Sequence, residues 1–308
     1  MSLTYHQKNN TDLWQALTRV IDQSKVESFV SQVNRMAFYQ RRLGINARSN
    51  DFDFKTLGKS VIYSFYYTFY PEACTRDSIA GRFLQREGIL ARILKLCKDD
   101  PYLLAIAFAM AEATARRGKI TTAGYLTGIK SLTGSFQHKA LYDDLALIAQ
   151  SFGAIHQPGK SVNLNVTFNK SHLVGGADAQ ALIDGELLST ITTLRRHPLA
   201  AEKVNQQLAY FLLDYLYPEE ALTNSPVQGR TVSNISHLSF HLSRTQQIIR
   251  TNPYDYLKPL DDPSWEDWAN CFGTQYNLPP DPDDDLFNDP DFRSAFFHDA
   301  PWQDGGWP

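Results

Sequence analysis

Asp184-Gly185 is the dipeptide that most constrains this chain. It separates two apolar-rich runs, 177–183 and 186–193, and Asp-Gly supplies the positive φ angles of a two-residue hairpin turn. Residues 162–168 alternate like a strand and lead into that hairpin after a Pro158-Gly159 turn. Side-chain alternation then puts Leu187, Ser189 and Ile191 on one face of the second hairpin strand, and Glu186, Leu188 and Thr190 on the other.

Helical periods surround the hairpin. Thr11 can cap a helix over 11–25 carrying Leu13, Leu17, Val20 and Ile21, and a second over 26–43 carries Phe29, Val33, Met36 and Ala37 before Gly44 stops it. A polar loop is expected over 50–56, and the aromatic run from Tyr63 to Tyr70 reads as one face of a core helix. Gly58-Lys59-Ser60 resembles the end of a phosphate loop, but Asp53 stands where that motif needs its first glycine, so the motif is rejected. Residues 77–152 read as a helical block. It holds an amphipathic stripe at Ile89, Ile93, Leu94 and Leu96, a buried Ala-rich helix over 103–115 closed by Arg116-Arg117-Gly118-Lys119, and a last helix over 139–152. Beyond the hairpin come a basic corner, Arg195-Arg196-His197, a helix over 200–216 and a strand over 236–242. His237 and His241 share one face of that strand and are expected to be exposed or at an edge rather than metal ligands.

With 308 residues and 43% hydrophobic composition the chain can bury a sizeable core. No run approaches the roughly 18 apolar residues of a membrane span, and the polar start does not read as a signal peptide. Cys74, Cys97 and Cys271 are widely spaced and odd in number, which suits buried or incidental thiols in a reducing cytoplasm better than disulfides or zinc. Charge is unevenly spread. Residues 261–308 carry twelve acids and one basic residue, a charge of −11, whereas 1–260 carry 29 basic residues and 21 acids, or +8. The chain therefore divides into an N-terminal helical segment (1–50), a main domain (51–260) with a helical insertion at about 75–155, and an acidic tail dotted with Trp and Phe. Arg35, Arg41, Arg42 and Arg48 form a basic stretch, either a solvated face or a phosphate contact.

Three segments carry a family resemblance: Leu164-Asn165-Val166-Thr167-Phe168, Gly175-Gly176-Ala177-Asp178-Ala179-Gln180, and Leu187-Leu188-Ser189-Thr190-Ile191-Thr192-Thr193. Together they resemble the active-site hairpin of RecB-like nucleases of the P-D-(D/E)-X-K superfamily, in a subgroup reading L-N-P-T-F, G-G-A-D-A-D and L-I-D-I-K-T-T. Weaker matches are Leu57-Gly58 with Ile62-Tyr63, the D-D-L element at Asp143-Asp144-Leu145, and Arg244 near an R-x-G-like turn. Gln206 and Tyr210 have the Q-x-x-x-Y spacing of the family, which puts both on one helix face. The resemblance implies an α/β fold, with a mixed sheet of the restriction-endonuclease type flanked by helices.

It also implies what the site has lost. The family pattern places metal-binding acids where this chain has Gln180 and Ser189, and a lysine where it has Ile191. Carboxylates hold Mg²⁺, and the metal activates water and stabilises phosphate charge. Neutral ligands and an isoleucine remove several kcal/mol of that stabilisation. Glu186 points to the opposite face, and Asp178 is displaced from Gln180 by roughly 6–7 Å along the strand. The expected protein is a pseudonuclease without a cofactor. It would bind nucleic acid, DNA rather than RNA, through Gln206, Tyr210, Arg195, Arg196 and Lys203, with Gln180 and Ser189 lining the cleft, as a subunit of a DNA-processing or genome-defence assembly. Two alternatives are an adaptor that binds a protein partner through 261–308, and a Mg²⁺-dependent nuclease whose site has moved to Asp178. No membrane partner is expected.

Overall fold

The computed structural model describes residues 3–9, 11–40, 42, 54–117, 125–127, 129, 139–150, 161–168, 178–193, 195–215, 235–259, 261–265 and 267. It is an α/β protein with one five-stranded mixed sheet flanked by helices on both faces.

The hairpin forms as its turn residues require. β1 (Val162–Thr167), β2 (Asp178–Ile183) and β3 (Glu186–Ile191) make an antiparallel meander. The turn between β2 and β3 has φ of 48° at Asp184 and 83° at Gly185, the left-handed pair of a tight hairpin. A crossover then carries the chain through a helix, Ala201–Tyr215, to β4 (His237–Leu242), which lies parallel to β3. β5 (Gln247–Thr251) returns antiparallel on the edge, giving the order β1-β2-β3-β4-β5.

One face of the sheet is covered by the central helices. These are α4 (Phe54–Phe69), α5 (Pro71–Arg76), α6 (Ile79–Arg86), α7 (Leu90–Leu96), α8 (Pro101–Arg117) and α9 (Lys139–Gln150). Their shared core contains Tyr63, Phe65, Tyr66 and Phe108, and it takes Leu164, Ala181 and Leu188 from the strands. The aromatic run is thus a core helix face, as its spacing predicts. Asp100 caps α8 by accepting from the amides of Tyr102 and Leu103 at 3.1 and 2.8 Å, with Pro101 at the first helical position. At Gly81 only glycine fits, because a Cβ would stand 2.2 Å from the Thr75 carbonyl oxygen.

The opposite face is covered by α2 (Asp12–Thr18), α3 (Gln23–Phe38) and the crossover helix Ala201–Tyr215, which follows α9 in order and is α10. Leu17, Val33, Leu208, Phe211, Leu187 and Phe240 form their common core, so the N-terminal helices belong to the same body as the sheet. A short helix, Leu3–Lys8, precedes them as α1.

Several expectations are corrected. The helix expected over 11–25 breaks after Thr18, because Ile21 bridges Leu257 and the Asp22 amide donates to the Tyr256 carbonyl at 2.8 Å; Asp22 then caps α3 afresh. The loop expected over 50–56 gives way to α4 at Phe54. His241 is 1% exposed, its ring 6.4 Å from that of Phe65, and only His237 is exposed. The cause is β5, whose half-covered Gln-Ile-Ile-Arg-Thr lacks a strong strand signal and whose pairing makes β4 an interior strand. Cys74 and Cys97 are buried, as expected, and burial pushes both thiols up, Cys97 to about 11. No helix among the described residues is long and apolar enough to cross a membrane. Most of the 261–308 tail lies outside the described residues. Its beginning rests on the body, where the Trp265 indole donates to the Lys258 carbonyl at 3.3 Å and Asp267 pairs with Arg19 at 3.1 Å.

Candidate functional site at the end of the third strand

The site begins at a kink in the meander. Leu164 faces Ala181 in the core under α4 and α8, yet Val166 faces Ala179 in the opposite core, although residues two apart on a strand ordinarily share a face. Both strands change face together, so the register survives. The pivot is Asn165, at φ 51°, whose side-chain oxygen accepts from the Ile79 amide at 3.0 Å and so caps α6.

Gln180 stands opposite that pivot, where the β2–β3 ladder ends at the Ala181–Leu188 pair. Its side chain continues the ladder. The Thr190 amide donates to Gln180 Oε1 at 2.7 Å, Gln180 Nε2 donates to Thr190 Oγ1 at 2.8 Å, and the Tyr66 hydroxyl donates to the Gln180 carbonyl at 2.5 Å. An aspartate here would be one carbon shorter and could not donate to Thr190. Gln180 is a stitch between strands, its amide bonded through both oxygen and nitrogen.

Beyond the stitch, at the C-terminal end of β3, the two helical layers approach each other. A methyl group added at Gly58 of α4 would touch Thr192 Cβ at 4.0 Å. From the next position Lys59 pairs with Glu112 of α8 at 2.6 Å, and Arg116 pairs with the same Glu112 oxygen at 2.8 Å. From α10, Lys203 donates to Gln206 Oε1 at 3.0 Å and lies close enough to Lys59 to feel its charge. Burial, and then the Lys59 charge, push Lys203 down to about 8. Burial disfavours ionised Glu112, but Lys59 and Arg116 outweigh it and hold that carboxyl below its ordinary value. The described residues of this cluster supply three cations and one carboxylate.

The expected residues separate into groups. Lys203 and Gln206 are at the cluster. Arg195 and Arg196 are exposed on the turn that leads from β3 into α10. Tyr210 is 4% exposed and stacked on Phe168 at 5.4 Å and 22°, within the core. Ser189 is 1% exposed and its hydroxyl has no hydrogen-bond partner, while half-covered Ile191 packs against the α10 core. Asp178 opens β2 opposite Thr167, and its side chain lies outside the described part. Among the described residues no three His, Cys, Asp or Glu side chains gather as they would around a metal ion.

Sequence reasoning missed Lys59, Glu112 and Arg116. Lys59 belongs to the Gly58-Lys59-Ser60 run that fails as a phosphate loop. Glu112 left a signal, as the lone acid in the Ala-rich run of α8 with Arg116 one turn later. A second charged pair was also missed as a pair: Arg244 Nη1 donates to Asp144 Oδ2 at 3.5 Å, with side chains 3% and 0% exposed. The sequence marks each of these residues separately, one hundred positions apart.

Compared with family models, curated proteins and solved structures, the chain matches none of them.

Proposed function

We propose that this protein is a catalytically silent relative of the RecB-like nucleases that binds nucleic acid at the end of β3 without cutting it. The observation that carries the reading is the excess of cations over carboxylates at Lys59, Arg116 and Lys203, where α4 meets Thr192 just beyond Thr190, the residue that Gln180, at a position where the family pattern expects an acid, binds. A metal-dependent nuclease needs carboxylates there to hold Mg²⁺ against phosphate. Lysines from two helical layers supply cationic charge directly, and a buried lysine beside another cation is relieved when a phosphate arrives. Supporting the family relation are the hairpin, the crossover helix carrying Gln206, and the Asp144–Arg244 pair that joins two of the weaker sequence matches.

The test is binding of labelled DNA to the full chain and to Lys203→Met across a salt series with Mg²⁺ present. The expected outcome is intact DNA, affinity that falls with salt, and a salt slope smaller by about one contact in the variant. Binding that ignores both salt and the substitution, or no binding at low salt, would sink the reading; Mg²⁺-dependent cleavage would replace it with an enzyme.

A further inference from the structure

We infer that the C-terminal end of α3 and the basic corner before α10 form a second site, which takes an unpaired nucleobase with its phosphate and so directs the protein to single-stranded nucleic acid. This deepens the reading above and rests on it for the class of ligand. Phe38 is 48% and Tyr39 79% exposed, an unusual allocation of two large rings to solvent. They meet edge to face at 5.4 Å and 86°, an arrangement that occupies at most one face of one ring and leaves the other faces open. The Arg196 guanidinium already lies over the Phe38 ring, 6.0 Å from its centre.

The surface is held in shape from beneath. Asn34 is buried and clasps Leu199 twice, its Nδ2 donating to the Leu199 carbonyl at 2.8 Å and its Oδ1 accepting from the Leu199 amide at 3.0 Å. That clasp fixes the 195–199 corner against α3. Between them opens a pocket of about 390 Å³ lined by Ser31, Asn34, Arg35, Phe38, Tyr39 and His197, large enough for a base and its sugar. No carboxylate lines it, and among the described residues no acid pairs with Arg35, Arg195 or Arg196. Aromatic faces beside arginines are the elements with which proteins hold single strands. The rings stack on any base, and the planar guanidinium forks grip phosphate oxygens.

Position supports the same ligand. From Thr192, at the cationic cluster, the chain reaches Arg195 in three residues and Lys203, back at the cluster, in eight more. One strand of nucleic acid can therefore touch both places. A duplex keeps its bases stacked on each other and offers the Tyr39 face nothing to stack on.

The deciding experiment compares a short labelled single-stranded oligonucleotide, its abasic counterpart and the matching duplex on the full chain, Tyr39→Ala and Lys203→Met. Tyr39 is nearly all in solvent, so its removal leaves folding intact. The expected result is a preference for the single strand, lost by about tenfold or more both in Tyr39→Ala and with the abasic strand, while duplex binding changes little. Lys203→Met should weaken all three ligands. Equal single-strand binding by Tyr39→Ala and the unsubstituted protein, with Lys203→Met still impaired, overturns this site and leaves the function above standing. Failure of every oligonucleotide to bind overturns both. Self-association abolished by Tyr39→Ala, with oligonucleotide binding unchanged, makes the patch a protein interface and also overturns the inference.

Discussion

Two clusters of charge among the described residues follow opposite rules. Asp144 and Arg244 are paired and sealed, with side chains at most 3% exposed. At the end of β3, one carboxylate, Glu112, faces Lys59 and Arg116 while Lys203 stands close by, and Lys59 and Arg116 reach solvent with side chains 42% and 43% exposed. Removing a charge from water is costly, and only a partner in good geometry offsets that cost. The sealed pair has its partner within the fold and joins α9 to the end of β4. The open cluster shows no second carboxylate among the described residues, and its Lys59 and Arg116 side chains reach solvent, where an anion can meet them. Charge that is paired and closed holds the structure together, whereas charge that reaches solvent can accept an anion.

The comparison breaks most visibly at the sealed pair. Arg244→Met leaves Asp144 buried without its cation, and Asp144 Oδ1 already has no hydrogen bond. The expected loss is about 3–5 kcal/mol in urea unfolding, and the double change with Asp144→Leu should recover most of it. A loss below about 1 kcal/mol would show that the pair does not behave as a closed unit. Gln180→Ala is next in size. It removes both bonds to Thr190 and leaves the Thr190 amide without its partner, for about 2 kcal/mol by the same measurement.

At the open cluster the sign reverses. Lys203→Met replaces a half-buried ammonium by an apolar chain of similar length, so stability should rise, by about 1 kcal/mol, while nucleic-acid affinity falls. The pH dependence follows from the same group. Lys203 titrates at about 8 in the folded chain and near 10.4 when unfolded, so between those values the unfolded state binds more protons. Stability should therefore climb as pH rises through that window, and the climb should be smaller in Lys203→Met. Binding should move the other way, weakening as pH passes about 8 and the ammonium loses its charge. If the unsubstituted protein and the variant show the same pH profiles, Lys203 does not hold the surplus charge.

What could be read in the sequence was whatever short-range chemistry decides. Asp184-Gly185 specified its own turn, Thr11 its cap, and the Leu103 to Ala111 stretch its burial, because each outcome depends on residues a few positions away. What escaped was decided at long range. Nothing near Ile21 announces that Leu257 will bridge it and end a helix. Nothing near Lys59 tells that Glu112 and Lys203 will meet it, since neither lies within fifty residues. The family resemblance draws attention to Gln180, Lys203 and Gln206, and the structure bonds Lys203 to Gln206 at 3.0 Å. The resemblance could not supply Lys59, which has no role in the pattern it was read from.

The smallest effect is also the most discriminating, because it separates two residues that depart from the same family pattern the chain resembles. Gln180 and Ser189 both stand where the family places an acid, yet Gln180 has made its amide part of the sheet while Ser189 is 1% exposed with a hydroxyl that bonds to nothing. Ser189 lies opposite Phe240 in the β3–β4 register and on the strand face of Leu187, so its surroundings are apolar. Alanine in its place removes an unsatisfied polar group and leaves only a small void. Ser189→Ala should be neutral or stabilising by less than about 1 kcal/mol, with oligonucleotide affinity unchanged. A drop in affinity would mean that the β3 face beneath Ser189 opens to ligand, and the site would have to be redrawn around the strand rather than around the lysines at its end.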